Sequence, residues 1–198
     1  MTLTVRLYAD FICPFCFVFE QGVVDKLLRD FDVRIDRRGV ELDPEAPGFN
    51  LPGRLHLFDQ DYHLRAYARV LGVDLQVPRH RPRTQRALAI AEFARDWGTL
   101  ELFWRSAMIG YWREAKDLEH DPDLAAMALQ SGMNPETALL ASRDVDYLGR
   151  VETMRREAAQ LGVVEIPSLV AGDELIVGCR TYDQATELLR RAGANRRA

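Results

Sequence analysis

Two hydrophobic periods alternate along the first forty residues. Thr4 to Phe11 (T-V-R-L-Y-A-D-F) is β-rich and largely alternating, which predicts a strand. Phe15, Val18, Phe19, Val23, Leu27 and Leu28 then recur at helical spacing up to about Asp30. Pro14 suits the first turn of that helix, where a missing N–H costs nothing. Val33 to Leu42 reads as a second strand. Together these make a β-α-β unit, which right-handed crossover places in one parallel sheet.

The text D-P-E-A-P-G-F-N from Asp43 to Asn50 is loop by composition, and helical patterns follow it. Tyr62 to Leu71 ends at Gly72, and Thr84 to Trp97 ends at Gly98. Leu100 to about Lys116 is aromatic-rich. Asp121-Pro122 and Asn134-Pro135 each read as an N-cap followed by proline. A long helix from about Val145 to Leu161 stops at Gly162. Beyond it, Ile166 to Val170 and Glu174 to Val177 flank Ala171-Gly172-Asp173, a hairpin turn. Thr181 to Gln184 forms a capping box opening a last helix through Arg191, and Asn195 to Ala198 reads as a frayed tail. The order is β-α-β, a helical block, then β-β-α. Without the block this is a minimal thioredoxin core. The fold class is therefore α/β and thioredoxin-like with an all-helical insertion: residues 1–54 and 151–198 form the core, and 55–150 the inserted domain.

At 198 residues, with 47% hydrophobic and 28% charged positions, the chain is long enough to bury a core without staples. No apolar run approaches the roughly 20 residues that span a bilayer, so no membrane association is expected. Met1 to Arg6 lacks the basic and apolar regions of a signal peptide, which points to the cytoplasm. A net charge of −4 argues against nucleic acid as a partner. Three cysteines are too few for a disulfide scaffold. Two of them, Cys13 and Cys16, stand at C-x-x-C spacing, which in such a chain reads as catalytic or metal-binding.

Disulfide exchange needs one cysteine as thiolate. With Cys13 at the N-cap and Pro14 at the first helical position, free backbone N–H groups and the positive helix end face the Cys13 sulfur. Cys16 then lies one turn inside, within bridging distance and more buried. Cys13 is thus the attacking thiol and Cys16 the resolving one. Zinc is the main rival, but a structural site wants four ligands. Cys179 and the four histidines (His56, His63, His80 and His120) show no second paired spacing, so no metal is expected.

Asp10-Phe11-Ile12-Cys13-Pro14-Phe15-Cys16-Phe17, at a strand-to-helix junction, resembles the active site of the DsbA-like oxidoreductases, particularly their cytosolic FrnE-like branch. Val40-Glu41-Leu42-Asp43-Pro44-Glu45 is similar to that branch's stretch after the second strand. Gly162 to Ser168 (G-V-V-E-I-P-S) looks like the family's loop containing a cis-proline. Many FrnE-like members have Trp where Phe15 stands. The resemblance implies a cis Ile166-Pro167 peptide opposite the dithiol, with Ile166, Pro167, Pro14 and Phe15 lining the place where a substrate strand binds. It also implies a protein disulfide oxidoreductase or isomerase acting on protein or small-molecule disulfides and thiols. No tightly bound cofactor is implied. Glutathione is a candidate redox co-substrate, and homodimerisation is left open.

Related architecture occurs in 2-hydroxychromene-2-carboxylate isomerases and kappa-class glutathione transferases, which makes a glutathione-dependent isomerase or transferase the alternative. Those enzymes use a serine near the position of Cys13. A non-catalytic binding protein with a redox-sensitive cysteine pair is the third reading. Among accessory residues, Cys179, which the fold resemblance sets on the dithiol side, reads first as a small packing residue, with lining of the substrate groove or a mixed disulfide as the alternative. Asp10 and Glu20 flank the dithiol; solvated surface acids are the expectation, proton shuttling to Cys16 the alternative. The run Arg79-His80-Arg81-Pro82-Arg83 reads as a solvated loop. Phe103, Trp104, Tyr111 and Trp112 read as core of the insertion.

Overall fold

The computed structural model describes residues 2–42, 62–75, 78 and 80–197. The loop from Asp43 to Asn50, His56, Arg79 and the 54/55 boundary of the insertion lie outside the described residues. β1 (Leu3–Ala9) leads into α1 (Pro14–Phe19), a π turn (Glu20–Val24) and α2 (Asp25–Asp30), and β2 (Val33–Gly39) follows. Six further helices come next: α3 (Tyr62–Leu71), α4 (Gln85–Asp96), α5 (Leu100–Glu114), α6 (Asp121–Gln130), α7 (Pro135–Ala141) and α8 (Val145–Gln160). β3 (Ser168–Ala171), β4 (Glu174–Ile176) and α9 (Tyr182–Arg191) close the chain.

The strands form one mixed sheet in the order β2-β1-β3-β4. β1 runs parallel to β2, from Leu3 opposite Val33 to Ala9 opposite Gly39, and antiparallel to β3. This is the thioredoxin-like α/β arrangement that the element order predicts, with helices inserted between β2 and β3. Alternation along β1 sends Val5, Leu7 and Ala9 into the main core, which also holds Leu27 of α2 and Leu188 and Leu189 of α9. Tyr8 faces the other way, onto Ala158 of α8 and Val170 of β3. Every residue from Ala87 to Ala94 is buried, so the middle of α4 is internal while its ends reach the surface. Among the described residues no helix is long and apolar enough to cross a membrane.

Several predicted elements are refined. The helix expected to run unbroken to Asp30 is interrupted by the π turn. Gly22 lies in that turn, where a Cβ would stand 2.7 Å from Leu71 Cβ. Only a glycine lets α3 approach so closely. β2 ends at Gly39 rather than Leu42, because the chain turns back over the end of β1. His120, not Asp121, occupies the N-cap of α6. The tail is not frayed. Asp32 N donates to Asn195 O (2.8 Å), Arg197 N donates to Asp30 O (2.9 Å), and Arg196 bridges to Phe31. Spare backbone groups in the α2–β2 turn hold it there.

Candidate active site

Cys13 terminates the stretch that follows β1. Its N–H donates to Asp10 O at 3.2 Å, and its extended backbone makes it the N-cap of α1. The Cys16 N–H points at the Cys13 sulfur, 3.3 Å away, and Phe17 N donates to Cys13 O at 3.1 Å. Pro14 sits at the first helical position, as the sequence predicts, so no orphan donor is lost there. Both thiols are free, and Cys13 is 3% exposed against 0% for Cys16. Burial pushes the Cys16 thiol well above the ordinary range, and the neighbouring Cys13 adds to the rise. A thiol so placed attacks only if a nearby group takes its proton.

The loop before β3 meets the dithiol. Cys13 Sγ lies 3.8 Å from Ile166 O, and the Ile166–Pro167 peptide is cis. Pro167 has no N–H to give a ladder, and β3 begins at Ser168. The Ser168 hydroxyl donates to Glu165 O (2.6 Å) and accepts from Gly178 N (3.3 Å), tying the loop to the segment carrying Cys179. Phe15 is half-buried, whereas Pro14 is buried. Cys179 does reach the dithiol side: its S–H points at Phe15 O, 3.7 Å away. Tyr67 of α3 stands beside it and donates its hydroxyl to Arg180 O at 2.7 Å. Burial pushes the Cys179 thiol up to about 12, so it is a neutral donor to Phe15 rather than a third nucleophile.

The two flanking acids depart from the expectation of solvated surface groups. Glu20 is buried in a bidentate pair with Arg37, Nε to Oε1 at 2.9 Å and Nη2 to Oε2 at 3.0 Å. Both its oxygens are engaged by a fixed cation, which suits a structural role. Asp10 is fully buried as well. Its Oδ2 accepts from Leu42 N at 2.6 Å, and Oδ1 lies near the Thr84 hydroxyl without a hydrogen bond of good geometry. Burial pushes the Asp10 carboxyl up to about 7; the Leu42 and Phe11 N–H groups and Thr84 oppose the rise, and Glu41 adds to it. Its backbone N–H faces the Cys16 sulfur. A carboxyl whose proton exchanges near neutrality therefore sits beside the Cys16 thiol.

The aromatic residues of α5 pack in the core as expected, and they also brace the dithiol strand. Trp112 Nε1 donates to Phe11 O at 2.7 Å and its ring stacks on Phe17, with centroids 5.4 Å apart. Trp104 leans on Phe11 at 4.4 Å. The basic run is not a freely solvated loop. Pro82 is buried, His80 O accepts from the Tyr111 hydroxyl (2.8 Å), and Arg83 Nε lies 3.3 Å from Glu41 Oε1. Sequence reasoning missed Glu41, Thr84 and Tyr67. Glu41 stands within the motif after the second strand, but its partner is forty-two positions away.

The family model of the DSBA-like thioredoxin domain matches residues 4–190. A probable DsbA oxidoreductase from Streptomyces coelicolor superposes with a TM-score of 0.84 at 22% identity, over 96% of this chain and 89% of that one. A 2-hydroxychromene-2-carboxylate isomerase superposes at 0.73 and 18% identity, over 96% and 95% of the two chains. The cytosolic disulfide reductase DsbM from Pseudomonas aeruginosa, whose structure was solved with GSH, superposes at 0.73 and 15% identity, over 96% and 98%. These likenesses extend the fold across both oxidoreductases and an isomerase. With its matched domain spanning residues 4–190, the chain belongs to the DsbA-like thioredoxin family.

Proposed function

We propose that this chain is a thiol-disulfide oxidoreductase in which Cys13 attacks and Cys16 resolves. The observation that carries the reading is the cap of α1: the Cys13 sulfur accepts the Cys16 N–H at 3.3 Å and lies 3.8 Å from the Ile166 carbonyl. In the reducing direction, the Cys13 thiolate attacks a substrate disulfide. The substrate S–S bond breaks, a mixed disulfide forms on Cys13, and one substrate thiolate leaves. Cys16 then gives its proton to Asp10 and attacks the Cys13 sulfur. The Cys13–Cys16 disulfide forms, the second substrate thiolate leaves, and the proton passes from Asp10 to it. The substrate gains two electrons and the dithiol loses two. The oxidising direction is the same sequence reversed.

The backbone of Ile166 and Pro167 and the side chain of Phe15 line the approach to Cys13, where a strand-like substrate segment pairs with exposed main chain. Protein or small-molecule disulfides and thiols are the substrate class. Glutathione serves as redox co-substrate, with no tightly bound cofactor, and the cytoplasm is the working compartment. A structural relative solved with GSH supports the glutathione assignment. Equilibration in graded glutathione buffers with thiol trapping tests the reading. A reversible Cys13–Cys16 couple is expected. A potential of about −120 to −180 mV assigns oxidation or isomerisation, and one near roughly −270 mV assigns reduction. Cys16→Ser is expected to retain mixed-disulfide formation and to lose release. Glutathione-dependent turnover unaffected by Cys16→Ser would replace this reading with that of a glutathione-dependent isomerase or transferase.

A further inference from the structure

One hydroxyl near the dithiol has no duty to its own helix. Thr84 stands at the N-cap of α4 and is fully buried, yet its side chain makes no capping hydrogen bond and its backbone is already helical (φ −104°, ψ −7°). Leu88 N donates to Thr84 O at 2.8 Å, which fixes the Thr84 backbone at the head of the helix. One turn on, Leu88 closes against Gly39 at the end of β2, where a Cβ would stand 2.5 Å from Leu88 Cδ2. The start of α4 is thereby pressed onto the end of β2. The chain leaving β2 covers Asp10, and Leu42 N donates to Asp10 Oδ2 at 2.6 Å. The other carboxyl oxygen, Asp10 Oδ1, faces the Thr84 hydroxyl, and both atoms are enclosed without a hydrogen-bond partner. The neighbouring Tyr111 hydroxyl is committed elsewhere, donating to His80 O at 2.8 Å.

A buried hydroxyl and a buried carboxyl oxygen are each costly to leave unpaired, and here each can satisfy the other. With Oδ2 held by an N–H donor, the exchangeable proton belongs on Oδ1. A hydroxyl serves both states of that oxygen. It accepts from Oδ1–H when the carboxyl is protonated, and turns to donate its own hydrogen when the carboxylate is ionised. We propose that Thr84 is the positioning residue of Asp10, its reversible hydroxyl holding the carboxyl in either protonation state and so setting the pH at which Cys16 resolves a mixed disulfide. The inference rests on Asp10 being the proton acceptor for Cys16. No net proton passes through Thr84: as Cys16 attacks, its proton goes to Asp10, the Cys13–Cys16 bond forms and the substrate thiolate leaves. A hydrogen bond to an ionised carboxylate is the stronger of the two, so Thr84 favours the ionised form. Asp10 is also faced by the Cys13 and Cys16 thiols from α1, by Glu41 after β2 and by Tyr111 from α5, on which Arg81 acts. All of these stay in place when Thr84 alone is changed.

The test is single-turnover reaction of the reduced protein with Ellman's disulfide from about pH 4.5 to 9, alongside a carbon-13 titration of the Asp10 carboxyl. The first thionitrobenzoate released reports attack by Cys13, and the second reports resolution by Cys16. Thr84→Val keeps the shape and removes the hydroxyl. It is expected to raise the midpoint of the second release and that of the Asp10 carboxyl together, by about one unit. Thr84→Ser restores a hydroxyl and is expected to hold both midpoints near those of the parent protein. An unmoved Asp10 midpoint in folded Thr84→Val, or an equal shift in Thr84→Ser, would overturn the proposal. So would a Thr84→Val protein in which both releases slow and neither midpoint moves, the mark of a purely structural role. If Thr84→Val does not fold, Thr84→Ala removes the hydroxyl in a smaller side chain and decides by the same readouts. Asp10→Asn separates the two layers. If it leaves the second release unchanged, the base assignment is wrong, while a raised carbon-13 midpoint in Thr84→Val still upholds the bond between Thr84 and Asp10.

Discussion

Asp10 gives this protein a stability that falls as its buried carboxyl ionises, and Asp10→Asn is expected to abolish that pH dependence. Its carboxyl rises from an ordinary value of 3.8 to about 7 because burial disfavours the charged form. A rise of roughly three pKa units corresponds to about 4 kcal/mol between the two protonation states. The sign is opposite to that of a salt-bridged carboxylate. Here the folded chain holds a proton that the unfolded chain releases above 3.8, so the stabilisation is complete below that value and is lost as pH rises through about 7. Between pH 5 and 8 the Asp10 contribution falls by about 2 to 3 kcal/mol, near the product of two pH units and 1.36 kcal/mol. Asp10→Asn keeps an acceptor for Leu42 N and removes the titration. Urea unfolding of both proteins at pH 5, 6, 7 and 8 isolates the difference, in which the histidines cancel. The wild type is expected to lose about 2 to 3 kcal/mol more than Asp10→Asn across that range. Parallel curves would refute the assignment of a neutral buried carboxyl.

Arg37→Met leaves the Glu20 carboxylate buried without its bidentate partner, and a loss of about 3 to 5 kcal/mol in urea unfolding at pH 7 is expected; a loss under 1 kcal/mol would show the pair to be hydrated. Gly22→Ala drives a Cβ to 2.7 Å from Leu71 Cβ and should destabilise by about 1 to 3 kcal/mol, and a Gly22→Ala, Leu71→Gly double variant, which removes that Cβ, should cost less than the two single changes added together. Cys179, pushed up to about 12, should react with iodoacetamide at pH 7.5 far more slowly than an unhindered thiol in peptide mapping. Cys179→Ser should leave the Ellman's kinetics of the other two cysteines within about twofold, because its S–H···O contact to Phe15 O is kept by a hydroxyl.

The element order and the cap of the active-site helix were legible because both are local. Period two passes to period 3.6 at Pro14, and capping depends only on neighbours in the chain. The capping box at Thr181 and Gln184 is fully formed for the same reason. The environments of Asp10 and Glu20 were not legible. A carboxylate beside a C-x-x-C has the same letters whether it faces water, an arginine or nothing. Glu20 meets Arg37 of β2, seventeen positions on, and the Asp10 pocket is closed by Leu42, Thr84 and Glu41 from other parts of the chain. The π turn likewise arises from tertiary contact, since Gly22 and Leu71 are nearly fifty positions apart. The tail misled by composition: N-R-R-A is polar enough to fray, yet Asn195 and Arg197 find unpaired backbone groups at Asp30 and Asp32.

That pinned tail fixes an orientation. Thr2 Oγ1 donates to Asp32 Oδ1 at 3.0 Å and Leu3 N to Asp32 O at 3.3 Å, so the start of β1 and residues 195–197 converge on one turn. The dithiol follows the other end of the seven-residue β1, roughly 20 Å away along the strand. A tether, fluorophore or solid support attached near either of these segments therefore emerges from the pole opposite the reactive sulfur. Immobilised through that pole, the molecule turns the dithiol end of β1 away from the support, and a substrate as large as an unfolded polypeptide is expected to approach that end without meeting the attachment.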